Sequence, residues 1–129
     1  MATVFCLKKY DLKTIQKLVL IGAPSEFSDV FKRYTDMMGY NQRIIQQINA
    51  IVLERFGAMP EAFATAKYLQ HITSKGLIIH DEDDPIIPYA DALKIRDSFK
   101  DSTLITTKGM GHSLNNEMVA SYIYDFIEA

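Results

Sequence analysis

The stretch that most constrains what this chain can fold into runs from Gly76 to Pro88, GLIIHDEDDPIIP. Leu77, Ile78 and Ile79 form an apolar run without polar alternation, and it breaks at once into four consecutive acids, Asp81, Glu82, Asp83 and Asp84, with Pro85 and Pro88 beyond. Such a run, bounded by turn residues, reads as a strand buried on both faces, as in a parallel sheet covered by helices. In sheets of that kind, chemistry collects in the loops at the carboxyl ends of the strands. A carboxylate just past Ile79 is therefore a candidate site residue.

A second polar loop answers the first. Thr103 to Thr107, TLITT, has strand composition and runs into Lys108, Gly109, Met110, Gly111 and His112, a histidine behind two glycines at the mouth of the next helix. The interval from Asp84 to His112 holds one crossover helix and one strand, so two neighbouring parallel strands would bring an aspartate and a histidine to the same end of a sheet. An aspartate that orients a histidine is two thirds of a nucleophilic triad.

These two loops resemble those of the α/β-hydrolases. Asp84, Pro85, Ile86, Ile87, Pro88 is similar to the family's acid loop, and Gly111, His112, Ser113 to its histidine loop. Acid before histidine is also the family's chain order, Ser, Asp or Glu, His. Asp81 is a departure, because the family usually has glycine there. The resemblance implies that Asp84 and His112 are the catalytic acid and base of a serine hydrolase acting on ester or amide bonds. No G-x-S-x-G, the family's nucleophile turn, occurs in the 129 residues. Met1 to Tyr10, MATVFCLKKY, is similar to the helix that follows that turn, and Leu18 to Ile21 to the next strand, so the resemblance covers the whole chain and only the second half of the family's fold. The expectation is a truncated hydrolase, inactive by itself, whose small-molecule ester or amide substrate is handled once the missing half is supplied. A noncatalytic binding or interaction module on the same scaffold is the alternative.

Composition narrows the classes. At 48% hydrophobic residues, the chain has the apolar mass for one globular domain spanning residues 1–129. A net charge of −2 offers no basic field for a phosphate backbone, so nucleic acid is not an expected partner. Nothing in the pattern asks for a cofactor. The single Cys6 cannot form an internal disulfide and fits a reducing, cytoplasmic location. The N-terminus does not read as a signal peptide, since its short apolar run precedes Lys8 and Lys9, and no apolar run approaches the ~20 residues of a membrane span.

Between the strand at Lys17 to Ile21 and the one at Leu77, helical patterns dominate. Ser25 can cap a helix carrying Phe27, Val30, Phe31, Tyr34, Met37 and Met38. Asn41 can cap a second, which carries Ile44, Ile45, Ile48, Ile51, Val52 and Phe56 on one stripe and stops at Gly57; Pro60 opens a third, reaching about His71. An ordinary crossover needs about a dozen residues. In the resembled family an insertion here is a helical cap over the site, so residues 25–73 are expected to be a cap, with Phe31, Met37, Met38 and Phe56 either lining a substrate wall or forming the cap's own core. After the acid loop, Tyr89 to Lys100 reads as a crossover helix with Ala90, Leu93 and Phe99 inward. In the last helix, Leu114, Met118, Val119, Tyr122, Ile123, Phe126 and Ile127 share the sheet-facing side. The fold class is then α/β: a three-layer α/β/α partial α/β-hydrolase fold with about three parallel strands and a helical cap.

Other residues weigh less. Asp81, Glu82 and Asp83 read as solvated loop acids, and His80 as a packed, hydrogen-bonded histidine. The cluster is not an EF-hand type metal loop, because the required sixth-position glycine and twelfth-position acid fall on Ile86 and Ala92. Ser113 adjoins His112 too closely to be its nucleophile, and Ser25 lacks the glycines of an elbow. Finally, with the strand that bears the nucleophile absent, residues 17–21 should form an open sheet edge, and a homodimer joined there would bury Val19, Ile21, Val4, Phe5 and Leu7.

Overall fold

The computed structural model describes residues 2–129. Three strands, β1 (Lys17–Ile21), β2 (Lys75–Asp81) and β3 (Ser102–Thr107), form one parallel sheet in the order β1-β2-β3. Ile21 pairs with Ile79, and Asp81 with Thr107, so all three strands end at the same edge. β2 is central and buried on both faces from Gly76 to Asp81, which explains its unbroken apolar run. Six helices surround the sheet among the described residues: α1 (Ala2–Tyr10), α2 (Phe27–Met37), α3 (Gln42–Phe56), α4 (Thr65–Leu69), α5 (Tyr89–Ser98) and α6 (Glu117–Glu128), with a 3-10 turn at Pro60–Ala62.

Strand pleating divides the core into two layers. Leu18, Leu20 and Ile78 point to one face and pack with Val4 and Leu7 of α1, Tyr68 and Leu69 of α4, and Ala92 and Ile95 of α5. Leu77 and Ile79 point to the other and meet Val119, with Tyr122, Ile123 and Phe126 of α6 partly buried around them. Each fully buried Leu or Ile contributes about 1.5–3 kcal/mol. The three-layer α/β/α arrangement is therefore what the strand pattern predicts.

Several helix assignments shift. Of the residues expected inward around α5, Phe99 is buried just past its end, whereas Ala90 is exposed and Leu93 only half-buried; the buried apolar residues of the helix itself are Ala92 and Ile95. Leu114 is buried against the α6 layer but sits before that helix at φ +49, and Met118 and Ile127 of α6 are exposed. Glu26, not Ser25, precedes α2 as its cap residue; Ser25 is wholly buried, and its backbone N–H donates to Asp91 Oδ2 at 3.0 Å. Asn41 does cap α3, accepting from the Ile44 N–H at 3.1 Å. The apolar stripe of α3 is not buried, however: no α3 residue is, and Phe56 is 66% exposed. A helical period records which residues share a face, and a neighbouring element must still be there to cover it.

β1 pairs with β2 alone among the described residues, so residues 17–21 do lie at an edge. Val4 and Leu7 cannot belong to an interface there, because both are inside the chain's own core. Phe5 and Val19 are half-buried and Ile21 is exposed. No described helix is long and apolar enough to cross a membrane.

Candidate active site

The parallel register delivers two loops to the carboxyl end of the sheet, residues 82–88 after β2 and 108–116 after β3. Asp84 and His112 meet between them: the ring Nδ1–H donates to Asp84 Oδ2 at 2.8 Å. The Asp84 side chain is fully buried, whereas the His112 side chain is 42% exposed. Asp84 Oδ1 is occupied separately, accepting the backbone N–H groups of Ile86 at 2.8 Å and Ile87 at 2.9 Å. Burial by itself would push this carboxyl up; the Ile87 N–H, the His112 ring and the Ile86 N–H outweigh that and hold it below the usual carboxylate value. The acid is thus ionised at neutral pH and fixed in orientation by its own loop.

Proline and turn chemistry explain the loop. Pro85 and Pro88 restrict the backbone, and Asp84 closes an Asx-type turn on the residues after it, an arrangement available to short acids and not to glutamate. His80 supports it from below. Its ring is wholly buried, its Nε2–H donates to the Ile87 carbonyl at 2.9 Å, and Nε2 lies 3.5 Å from Asp84 Oδ2. The reading of His80 as packed and hydrogen-bonded agrees with this. Its Nδ1 has no hydrogen-bond partner among the described residues.

Asp81 is not a solvated acid. It is completely buried, and its carboxylate accepts the Asp83 N–H at 3.0 Å, the Thr107 hydroxyl at 2.7 Å and the Met110 N–H at 2.9 Å. Burial raises its pKa, yet the Met110 N–H, the Thr107 hydroxyl and the Asp83 and Gly111 N–H groups together bring it below the ordinary value. Glu82 and Asp83 are exposed, as expected of loop acids. The sequence signal for Asp81 was its position at the last strand residue, where a side chain belongs to the sheet rather than to the loop.

Gly22 is the other residue that the sequence did not mark beyond ending a strand. Its N–H donates to the Ile79 carbonyl at 3.0 Å, its φ is +53, and a Cβ on it would lie 3.3 Å from the Nδ1, Cε1 and carbonyl O of His112. The end of β1 is therefore the floor on which the imidazole rests. Of the two serines weighed as local nucleophiles, Ser25 is inaccessible and Ser113 is exposed beside the histidine. No group of three or more His, Cys, Asp or Glu side chains is arranged to hold a metal among the described residues.

On the α1 side of the helical segment between β1 and β2 lies an apolar cavity of about 350 Å³, lined by Ala2, Phe5, Phe27, Val52, Phe56 and Phe63. Of the aromatic and methionine residues expected to form a wall, Phe56 lines it. Met37 and Met38 are exposed at the far end of α2, and Phe31 stacks on Phe27 with ring centroids 6.1 Å apart.

Comparison with known proteins agrees with this architecture. The chain is similar in structure to a meta-cleavage product hydrolase from Pseudomonas fluorescens (15% identity, TM-score 0.66, 98% of this chain and 60% of that one). It is also similar to a bromoperoxidase from Bacillus anthracis (17%, TM-score 0.64, 98% and 63%) and to mouse alpha/beta hydrolase domain-containing protein 10 (16%, TM-score 0.58, 98% and 57%). It spans less than two thirds of the length of each, and at these identities the likeness is one of fold. No curated protein matches it in sequence. The sequence pattern of the TAP-like protein family matches residues 58–129, more than half of the chain and the part that carries both loops. With the parallel sheet and its two site loops, that match identifies the chain as a member of the α/β-hydrolase superfamily, in its family of TAP-like proteins.

Proposed function

We propose that this chain carries the acid and the base of a serine hydrolase acting on ester or amide bonds, with the nucleophile supplied from outside residues 1–129. The observation that carries the reading is the 2.8 Å contact from His112 Nδ1 to a buried Asp84 whose other oxygen is already saturated by backbone donors. With Nδ1–H committed to Asp84, the Nε2 lone pair is left for a proton acceptor's work. It takes the proton of an attacking hydroxyl, Asp84 stabilises the imidazolium, and the proton passes on to the leaving alcohol or amine. A serine and the backbone donors for the oxyanion complete such a site, and the sequence has no G-x-S-x-G to provide them.

The apolar cavity, whose lining includes neither Asp84 nor His112, is assigned in this reading to a hydrocarbon side of the substrate. Helices α2 to α4 act in this reading as a cap, and Phe27, Val52, Phe56 and Phe63 present it with aromatic and aliphatic surface and almost no polar partners. The missing nucleophile motif favours a second reading, a binding module without catalysis, and one experiment separates the two. The isolated chain should neither turn over activated short-chain esters above a His112→Ala control nor label with a fluorophosphonate. Joined to an in-frame segment bearing G-x-S-x-G, it should do both, with turnover falling about 10⁴-fold in Asp84→Asn and about 10⁶-fold in His112→Ala. Labelling of Ser25 or Ser113 in the isolated chain would overturn the missing-nucleophile reading. A joined protein that still neither labels nor turns over ester would leave the binding module.

A further inference from the structure

The last two residues of β2 point to opposite sides of the sheet, and each holds one of the two site loops. His80 reaches the acid loop through the Ile87 carbonyl, and Asp81 reaches the histidine loop through Thr107 and Met110. The second link is the less ordinary one. A buried carboxylate at a strand end is costly to desolvate unless its oxygens are occupied, and here donors from the acid loop, the end of β3 and the loop after it converge on it. We propose that Asp81 is a positioning residue for His112: its carboxylate anchors the loop after β3 so that Nδ1 of the imidazole stays on Asp84. The proposal rests on the reading of Asp84 and His112 as the acid and base.

The loop itself explains why an anchor is needed. Between Thr107 and His112 it contains Gly109 at φ +75 and Gly111 at φ +66, and a Cβ on either would touch nothing within 4 Å. Packing therefore does not hold these glycines, and glycine gives the backbone more freedom than any other residue. Met110 lies between them, and its N–H is the group that Asp81 Oδ2 accepts at 2.9 Å. The same oxygen accepts the Thr107 hydroxyl at 2.7 Å, so one atom ties the end of β3 to the middle of the flexible loop. A parallel backbone bond, from the Glu82 N–H to the Thr107 carbonyl at 2.9 Å, fixes the strand ends but does not reach past Thr107. Beyond Met110 the Gly111 N–H also faces the Asp81 carboxylate, and after it the restraints are the Gly22 floor and Asp84 itself.

Side-chain position separates this role from a purely stabilising one. At a pH where the ring is neutral, His112 held against Asp84 carries its proton on Nδ1, whereas a histidine in water prefers Nε2. Two-bond nitrogen–proton spectra of the full chain, selectively labelled at histidine, read which nitrogen is protonated. The wild type should show the Nδ1–H form, and Asp84→Asn should shift it toward Nε2–H. Asp81→Gly, which removes the acceptor oxygens altogether, should shift it in the same direction while the amide spectrum of the sheet is retained. Should that variant not fold, Asp81→Ala removes the same oxygens with less backbone freedom and is read in the same way. An unchanged Nδ1–H signal in a folded Asp81 variant, alongside a shifted Asp84→Asn, overturns the positioning role and leaves the acid–base pair intact. A wild type already in the Nε2–H form overturns the pair, and this inference with it.

Discussion

Replacing Gly22 with alanine tests whether the end of β1 is the floor of the site. Two terms act. The left-handed φ of +53 disfavours any Cβ, at about 1–2 kcal/mol for an L-residue. Part of that is offset, because alanine lowers the entropy of the unfolded chain by about 0.4–1 kcal/mol. The second term is steric: the new methyl would sit 3.3 Å from two ring atoms and the carbonyl O of His112, so the ring or the turn must give by a few tenths of an ångström. Where the ring gives, the 2.8 Å bond to Asp84 is strained, and a hydrogen bond to a charged group contributes about 1.5–3 kcal/mol net. Gly57 provides the control. Its φ is +71 and a methyl added there would meet nothing within 4 Å, so Gly57→Ala carries the backbone term without the contact. Urea unfolding of both variants should show Gly22→Ala less stable than Gly57→Ala by about 1 kcal/mol, about fivefold in the equilibrium constant. Equal losses, with the His112 ring signals unmoved in Gly22→Ala, would refute the contact argument.

Three further outcomes follow from the same structure. Gly76→Ala should be among the most destabilising single substitutions, since its Cβ would fall 2.2 Å from Cε1 of the buried Phe99; overpacking of this kind costs about 1–3 kcal/mol, and Phe99→Leu in the same chain should recover part of the urea midpoint. Asp81 and Asp84 both have folded pKa values below their unfolded ones, so their contribution is fully present above about pH 4 and is lost as pH falls through the folded values; the unfolding midpoint should drop in that acid range, with a shallower drop in Asp84→Asn. We also propose that two copies pair antiparallel through the free edge of β1, around Ile21 at 43% exposure; sedimentation at micromolar concentration should show a dimer weakened by Ile21→Lys, and a stable wild-type monomer would refute it.

Much of this was written locally in the chain. The run from Leu77 to Ile79 specified a doubly buried central strand because β2 has a neighbour on each side and helices on both faces, which leaves these three side chains no access to water. The acid and histidine loops were legible for a related reason: Asp84 makes its turn with the residues directly after it, and glycines mark where the backbone before His112 must turn left-handed. Tertiary structure decided what depends on a partner distant in sequence. It covered one stripe and not another, burying Val119 in α6 and leaving Phe56 of α3 exposed, although both belong to helical apolar faces. It turned Asp81 from an apparent loop acid into a buried anchor, because Thr107 and Met110 come from another strand and its loop. And it set Gly22 beneath His112, a contact between residues 22 and 112 that only the parallel register of the sheet creates.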